Sequence, residues 1–237
     1  MFQPRRLSIP CRNRSRDAQP WTAKATDKTR NHRFITDHLE ADSRTRSPAL
    51  PPRTGEIARY ANDPTNPESL GSNWITAIYE DSENILWIGS NNGLDNFNPV
   101  HNTAKHYRLD PANPENSISS NLVYTIYEDR RNQLWIGTFA GLDRFDRMTE
   151  TFTHFRPNAD DPTTLSGNKP VIIHEDRDGF LWIGTAENGL NRMDPQTNLF
   201  TRYRHDPNDP NSLSSDSSLS IYQDSKGRLW VGTAGAG

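Results

Sequence analysis

A phrase of aromatic and β-branched residues recurs along this chain at a near-constant interval, and that period restricts the fold more than any other property. Its clearest copy runs from Val123 to Asp146, VYTIYEDRRNQLWIGTFAGLDRFD. Others start at Ile75 (ITAIYEDSENILWIGSNNGLDNFN), at Val171 (VIIHEDRDGFLWIGTAENGLNRMD) and at Leu219 (LSIYQDSKGRLWVGTAGAG). Trp87, Trp135, Trp182 and Trp230 mark the beat at intervals of 48, 47 and 48 residues. A period of this length means stacked supersecondary units that bury their faces against one another.

Within one unit, Val123, Thr125 and Tyr127 alternate with Tyr124, Ile126 and Glu128, which predicts a strand. Asp129-Arg130-Arg131-Asn132 is then a tight turn, matched by Asp81-Ser82-Glu83-Asn84, Asp176-Arg177-Asp178-Gly179 and Asp224-Ser225-Lys226-Gly227. Its first residue is always Asp, whose carboxylate bonds the turn backbone, and its fourth is Asn or Gly, which tolerate positive φ. Leu134 to Thr138 makes a second strand. Gly137, kept as Gly89, Gly184 and Gly232, falls where a close neighbour excludes a side chain. Gly141 to Asp146 and Thr151 to Phe155 supply the third and fourth strands. Four antiparallel strands per repeat is the plan of a β-propeller blade.

The Asn-Asp-Pro and Ser-Leu-Ser connectors, the Tyr-Glu-Asp turn, Leu-Trp-Ile-Gly-Thr and Gly-Leu-Asp-Arg-Phe-Asp closely resemble the two-component regulator propeller repeat, over about Thr54 to Gly237. That resemblance implies a non-catalytic sensor module of a bacterial hybrid two-component system. It would bind a small polar ligand, for instance an oligosaccharide, in the periplasm or otherwise outside the cytoplasm, and bias a downstream histidine kinase region or a partner chain. Such sensors carry more repeats, a further β-domain, a membrane span and a kinase, so the expectation here is a fragment of the sensing region. Propellers similar to this one include lyases and glycan-active hydrolases, so a carbohydrate-active or lyase-type enzyme is the alternative. A protein-interaction scaffold is a third.

The fold class expected is all-β: a propeller fragment with three complete four-stranded blades near 75–107, 123–155 and 171–203, and partial blades at 54–61 and 219–237. No window from Thr54 onward has a helical apolar period. Pro, Asn, Asp and Ser cluster over Asn62–Leu70, Asp110–Ser119, Asp160–Ser166 and Asp206–Ser214, which makes these segments connectors between blades. Counting strands predicts an open, curved array rather than a sealed ring, unless both termini combine in one blade. Residues 1–53 differ in composition: 12 Lys or Arg against 5 Asp or Glu, a net of +7, while the remainder carries −10. Such a split suits a nucleic-acid arm or a targeting peptide. Without apolar periodicity it reads instead as a basic, disordered leader, and no nucleic-acid partner is expected. The apolar stretch after Arg5-Arg6 is too short for a secretory signal, and no run approaches the ~20 residues of a membrane span. A single cysteine, Cys11, excludes an intramolecular disulfide framework.

In a four-stranded meander, the connectors and the loops between second and third strands emerge on one face. That face gathers Ser90, Asn91 and Asn92; Thr138 and Phe139; and Thr185, Ala186, Glu187 and Asn188. Planar amides, a carboxylate and an aromatic platform make Asn91, Asn92, Phe139, Glu187 and Asn188 the candidate ligand contacts. No catalytic residue, metal ligand or cofactor is assigned. The pairs Glu80-Asp81, Glu128-Asp129 and Glu175-Asp176 repeat in every blade and so read as structural. Asp176-Arg177-Asp178-Gly179 lacks the Glu of a calcium loop. His106 and His154 share one strand position, which reads as packing, and phosphate-binding and nucleophile-elbow motifs are absent.

Overall fold

The computed structural model describes residues 58–235, and all of it is strand and connecting loop apart from one 3₁₀ turn at Pro114–Asn116. The leader over 1–53 lies outside the described residues, as does most of the strand expected over 54–60. Residues 58–60 carry no strand, but the Tyr60 ring packs edge-on against Phe97, with centroids 4.9 Å apart.

Three four-stranded antiparallel meanders and one hairpin follow in chain order. The first comprises β1 (Ile75–Glu80), β2 (Leu86–Ser90), β3 (Gly93–Asn98) and β4 (Thr103–Tyr107). The second is β5 (Val123–Glu128), β6 (Leu134–Thr138), β7 (Gly141–Asp146) and β8 (Thr151–Phe155). The third is β9 (Pro170–Glu175), β10 (Leu181–Thr185), β11 (Leu190–Asp194) and β12 (Leu199–Tyr203), and the hairpin is β13 (Ser218–Gln223) with β14 (Leu229–Thr233). First strands neighbour first strands, β1 beside β5, β5 beside β9 and β9 beside β13, and each second strand packs on the first strand of the next sheet. This is the succession of propeller blades, and the described sheets do not close into a ring.

Strand alternation explains the stacking. Side chains on one strand point to opposite faces, so Leu-Trp-Ile divides between two neighbours. Leu134 and Ile136 join Tyr79, Trp87 and Tyr107 in a core shared by the first two blades. Trp135 turns the other way, to Leu165, Ile173, Leu181 and Met193 of the third. Burying one tryptophan at such a seam stabilises by about 5 kcal/mol.

The turn face is held by a repeated latch. Asp129 Oδ1 accepts from the backbone N–H groups of Arg131 and Gln133, each at 2.9 Å, while its Oδ2 accepts from Trp135 Nε1 at 2.9 Å. The same bonds recur from Asp81 to Trp87, Asp176 to Trp182 and Asp224 to Trp230. The fourth turn residue takes positive φ as its identity requires, 60° at Asn132 and 85° at Gly179. The neighbouring carboxylate joins blades: Glu128 accepts from Ser82 N and Oγ, each at 2.8 Å, and Glu175 accepts from Arg130 N at 2.8 Å. Arg147 adds a bond to Glu128 at 2.8 Å and lies 3.1 Å from Asp81. In Glu128-Asp129 and Glu175-Asp176 an inter-blade staple and a turn latch therefore stand side by side.

Gly137 answers to a different constraint. A Cβ there would lie 2.5 Å from the carbonyl oxygen of Pro170 and 2.6 Å from Thr125 Cγ2, because the next blade begins against it. Gly184 meets Ser218 O at the same 2.5 Å.

Candidate functional site

The face opposite the turns is built from four backbone pins of the same kind. The first residue of each loop after the second strand donates its N–H to the residue just before the first strand of its own blade. The pairs are Asn91 to Trp74 (3.3 Å), Phe139 to Leu122 (2.9 Å), Ala186 to Lys169 (3.1 Å) and Ala234 to Ser217 (2.9 Å). A hydroxyl at the end of the second strand fixes the loop further. Ser90, Thr138 and Thr185 each accept from a loop N–H and donate to the carbonyl of Gly93, Gly141 or Gly189. Each first strand also carries a register skip near its start, as at Thr76, where Ile75 pairs with Ser90 but Ala77 pairs with Gly89. Bulges of this kind bend the strand and re-aim its side chains.

The pinned positions carry different side chains in each blade: Trp74 with Asn91, Leu122 with Phe139, Lys169 with Ala186, Ser217 with Ala234. Trp74 is 70% exposed and Phe139 49%. The third blade's loop is also one residue longer, three residues standing between Thr185 and Gly189 where two stand between Ser90 and Gly93. The repeated pin thus presents a different pair of side chains in each blade.

Of the candidate contacts, Phe139 and Glu187 are brought together by Lys169. Its ammonium lies 5.6 Å from the Phe139 ring centre and 2.7 Å from Glu187 Oε1. The bond to Glu187 holds the Lys169 amine above its ordinary value. The amides are used differently. Asn91 Oδ1 accepts from Ser72 Oγ at 2.7 Å, and Asn92 Nδ2 donates to Gly71 O at 2.8 Å, so both hold the first connector. Asn92 also borders a cleft of about 190 Å³ lined by Asn62, Asp63, His106 and Arg108 among others. The Asn188 side chain presses on Gly167, where a Cβ would approach its Oδ1 to 2.0 Å.

His106 and His154 pack by clasping connectors through hydrogen bonds. Buried Asp143 accepts from Ser119 N at 2.8 Å and from His154 Nδ1 at 2.7 Å, and His154 Nε2 lies 2.8 Å from Pro114 O. Asp95, His106 and Pro67 repeat the arrangement, while the third blade substitutes Asn191 and Arg202, whose guanidinium donates to the carbonyls of Thr164, Asp161 and Leu165. With an acceptor at each ring nitrogen, His154 serves both only as the imidazolium. The Asp143 bond raises its pKa, the Pro114 carbonyl adds to this, and partial burial opposes it.

A pH prediction follows. A pKa raised on folding contributes stability that is fully present below the unfolded value of about 6.5 and is lost as pH rises through the folded pKa. Amide exchange over 110–119 should therefore accelerate in that window beyond its intrinsic pH dependence, while 158–166, held by Asn191 and Arg202 in place of a histidine, should not. Equal acceleration in both connectors would refute the assignment.

The profile of the two component regulator propeller family matches residues 69–92, 117–140, 164–187 and 212–235, one match per blade. Residues 69–235 carry four two-component regulator propeller repeats. Each match spans the connector's end, the first strand, the latch turn and the second strand. Among solved structures, the repeats are similar to an extracellular domain assigned to a hybrid two component system of B. thetaiotaomicron, with 24% identity, a TM-score of 0.61, and coverage of 69% of this chain and 22% of that one. A second B. thetaiotaomicron extracellular domain, assigned to a one component system, gives 25%, 0.58, 71% and 21%. The chain thus spans about a fifth of the length of these two domains. Virginiamycin B lyase from Staphylococcus aureus shares the fold at 17% identity and a TM-score of 0.50, covering 70% of this chain and 50% of the lyase. A search of curated proteins returns no match. Among the described residues, no helix is long and apolar enough to cross a membrane.

Proposed function

We propose that this regulator propeller segment is a ligand-binding sensor module of a two-component system, acting outside the cytoplasm without catalysing a reaction. The ligand is small and polar, for instance an oligosaccharide, and it lands on the connector face. The observation that carries this reading is the repeated backbone pin that shows a different side chain in each blade: structure alone would require the pin, not the variety. Binding would favour one arrangement of blades or partner chains and so bias a downstream histidine kinase region, to the extent that the ligand prefers one arrangement.

Titration of the isotope-labelled chain with a panel of short oligosaccharides, followed by NMR, tests the placement. Shifts are expected at Trp74, Phe139, Lys169 and Glu187, with smaller ones at Asn91, Asn92 and Asn188, whose side chains are engaged by or pressed on connectors. Shifts centred on the turn face, around Asp129 and Asp176, would sink the reading. Conversion of the ligand during the titration would replace it with a lyase-type or carbohydrate-active enzyme, and a response to a protein partner alone would make the module a scaffold.

A further inference from the structure

Among the described residues, six non-glycine residues adopt positive φ. Five are hairpin positions: Asn84 and Asn132 close the latch turns, and Asn102, Glu150 and Asn198 close the turns between third and fourth strands. The sixth, Lys169 at φ 59°, belongs to no hairpin. It precedes Pro170, which disfavours the right-handed helical region for the residue before it. The equivalent Trp74, Leu122 and Ser217 have ordinary backbones. A left-handed lysine is strained, and strain of this kind persists where a site is held ready.

The strained residue stands where two other departures from the repeat converge. Phe139 of the preceding blade offers a half-exposed ring, and the longer loop of the third blade brings Glu187 within 2.7 Å of the Lys169 ammonium. The lysine and glutamate side chains are 29% and 66% exposed, and an ion pair so open to water adds little to stability. The ion pair therefore does not account for the strain.

We propose that Phe139, Lys169 and Glu187 form one subsite, at the junction of the second and third blades, for an uncharged ring bearing adjacent hydroxyls. The C–H face of the ring lies on Phe139, one hydroxyl accepts from Lys169 Nζ, and its neighbour donates to Glu187. Donor and acceptor already sit side by side, as a vicinal diol requires. A carboxylate drawn to Lys169 would also lie beside Glu187, and an amine drawn to Glu187 beside Lys169, so either charge meets an attraction and a repulsion together and gains nothing over the neutral hydroxyls. This rests on the sensor reading and narrows it to one junction and one charge class.

The test uses the full chain and neutral cello-, malto-, manno- and galacto-oligosaccharides, with oligogalacturonate and chitosan oligomers as the charged arms. Saturation-transfer NMR and titration should show a neutral series binding more tightly than either charged one. Phe139→Ala should weaken that binding about tenfold, and Lys169→Met and Glu187→Gln about fivefold each, as expected for losing a contact face or one charged hydrogen bond. Unchanged cooperative melting would confirm that these exposed substitutions leave the fold intact. Neutral binding that survives all three substitutions, with shifts confined to Asn91 and Asn92, would overturn the subsite and leave the sensor reading in place. Tighter binding of a charged arm would overturn it equally. No binding of any probe would remove both.

Discussion

Gly137→Ala is expected to destabilise the chain by about 3 kcal/mol, the upper end of what one added carbon costs in a packed interior. The reason is the identity of the neighbour. The new Cβ would lie 2.5 Å from Pro170 O, a backbone atom at the start of the third blade, so relief requires the two blades to separate. Gly184→Ala should behave alike, its neighbour being Ser218 O. Gly232→Ala is the control: its nearest contact is the Ser220 hydroxyl of its own hairpin, a side chain that can rotate, and the cost should stay within about 1 kcal/mol. Urea unfolding of the three variants decides the matter. Equal losses at Gly137 and Gly232 would mean that the glycine serves its own strand and not the seam.

The largest loss from a single side chain is expected at Asp129. Removing its carboxylate in Asp129→Ala leaves three donors without their acceptor: the N–H groups of Arg131 and Gln133 and the indole of the fully buried Trp135. Orphaned donors cost roughly 1–3 kcal/mol when buried, and the two turn N–H groups recover part of this from water, so a total of about 3–5 kcal/mol is expected. Asp129→Asn separates the contributions. Its oxygen can still serve the two turn N–H groups, but its NH₂ then opposes the indole N–H, and about half the loss should remain. Near-ultraviolet circular dichroism of Trp135 together with urea unfolding would follow both effects. An Asp129→Asn variant as stable as the parent would show that the indole bond contributes nothing.

Much of this architecture is local and was legible in the repeat. The turn residues were readable because the constraint acts on the residue itself: an Asp side chain reaches its own turn, and Asn or Gly adopts the backbone of the fourth place most readily. Strand order followed from alternation, and among the described residues the one departure from strand and loop is the short 3₁₀ turn at Pro114–Asn116. Gly137 was readable as a site of close approach, though not what approaches, since Pro170 belongs to the following repeat.

What the repeat did not disclose lies between repeats. Asp143 and His154 occupy different strands, and their common target is the Pro114 carbonyl and Ser119 amide of a connector, so neither residue carries a local mark of the clasp. Trp74 and Lys169 were missed because they stand between the connectors and the first strands, assigned to neither, and only the backbone pins put them beside the loops. Conversely, Asn91 and Asn92 were chosen for polar chemistry that the tertiary structure spends on Ser72 and Gly71. By itself the sequence determined the period, the blade and its turns, because propensity, alternation and turn chemistry act within a few residues. The tertiary structure decided which blade covers which tryptophan and brought Phe139, Lys169 and Glu187 to one junction, because those contacts exist only once neighbouring blades pack.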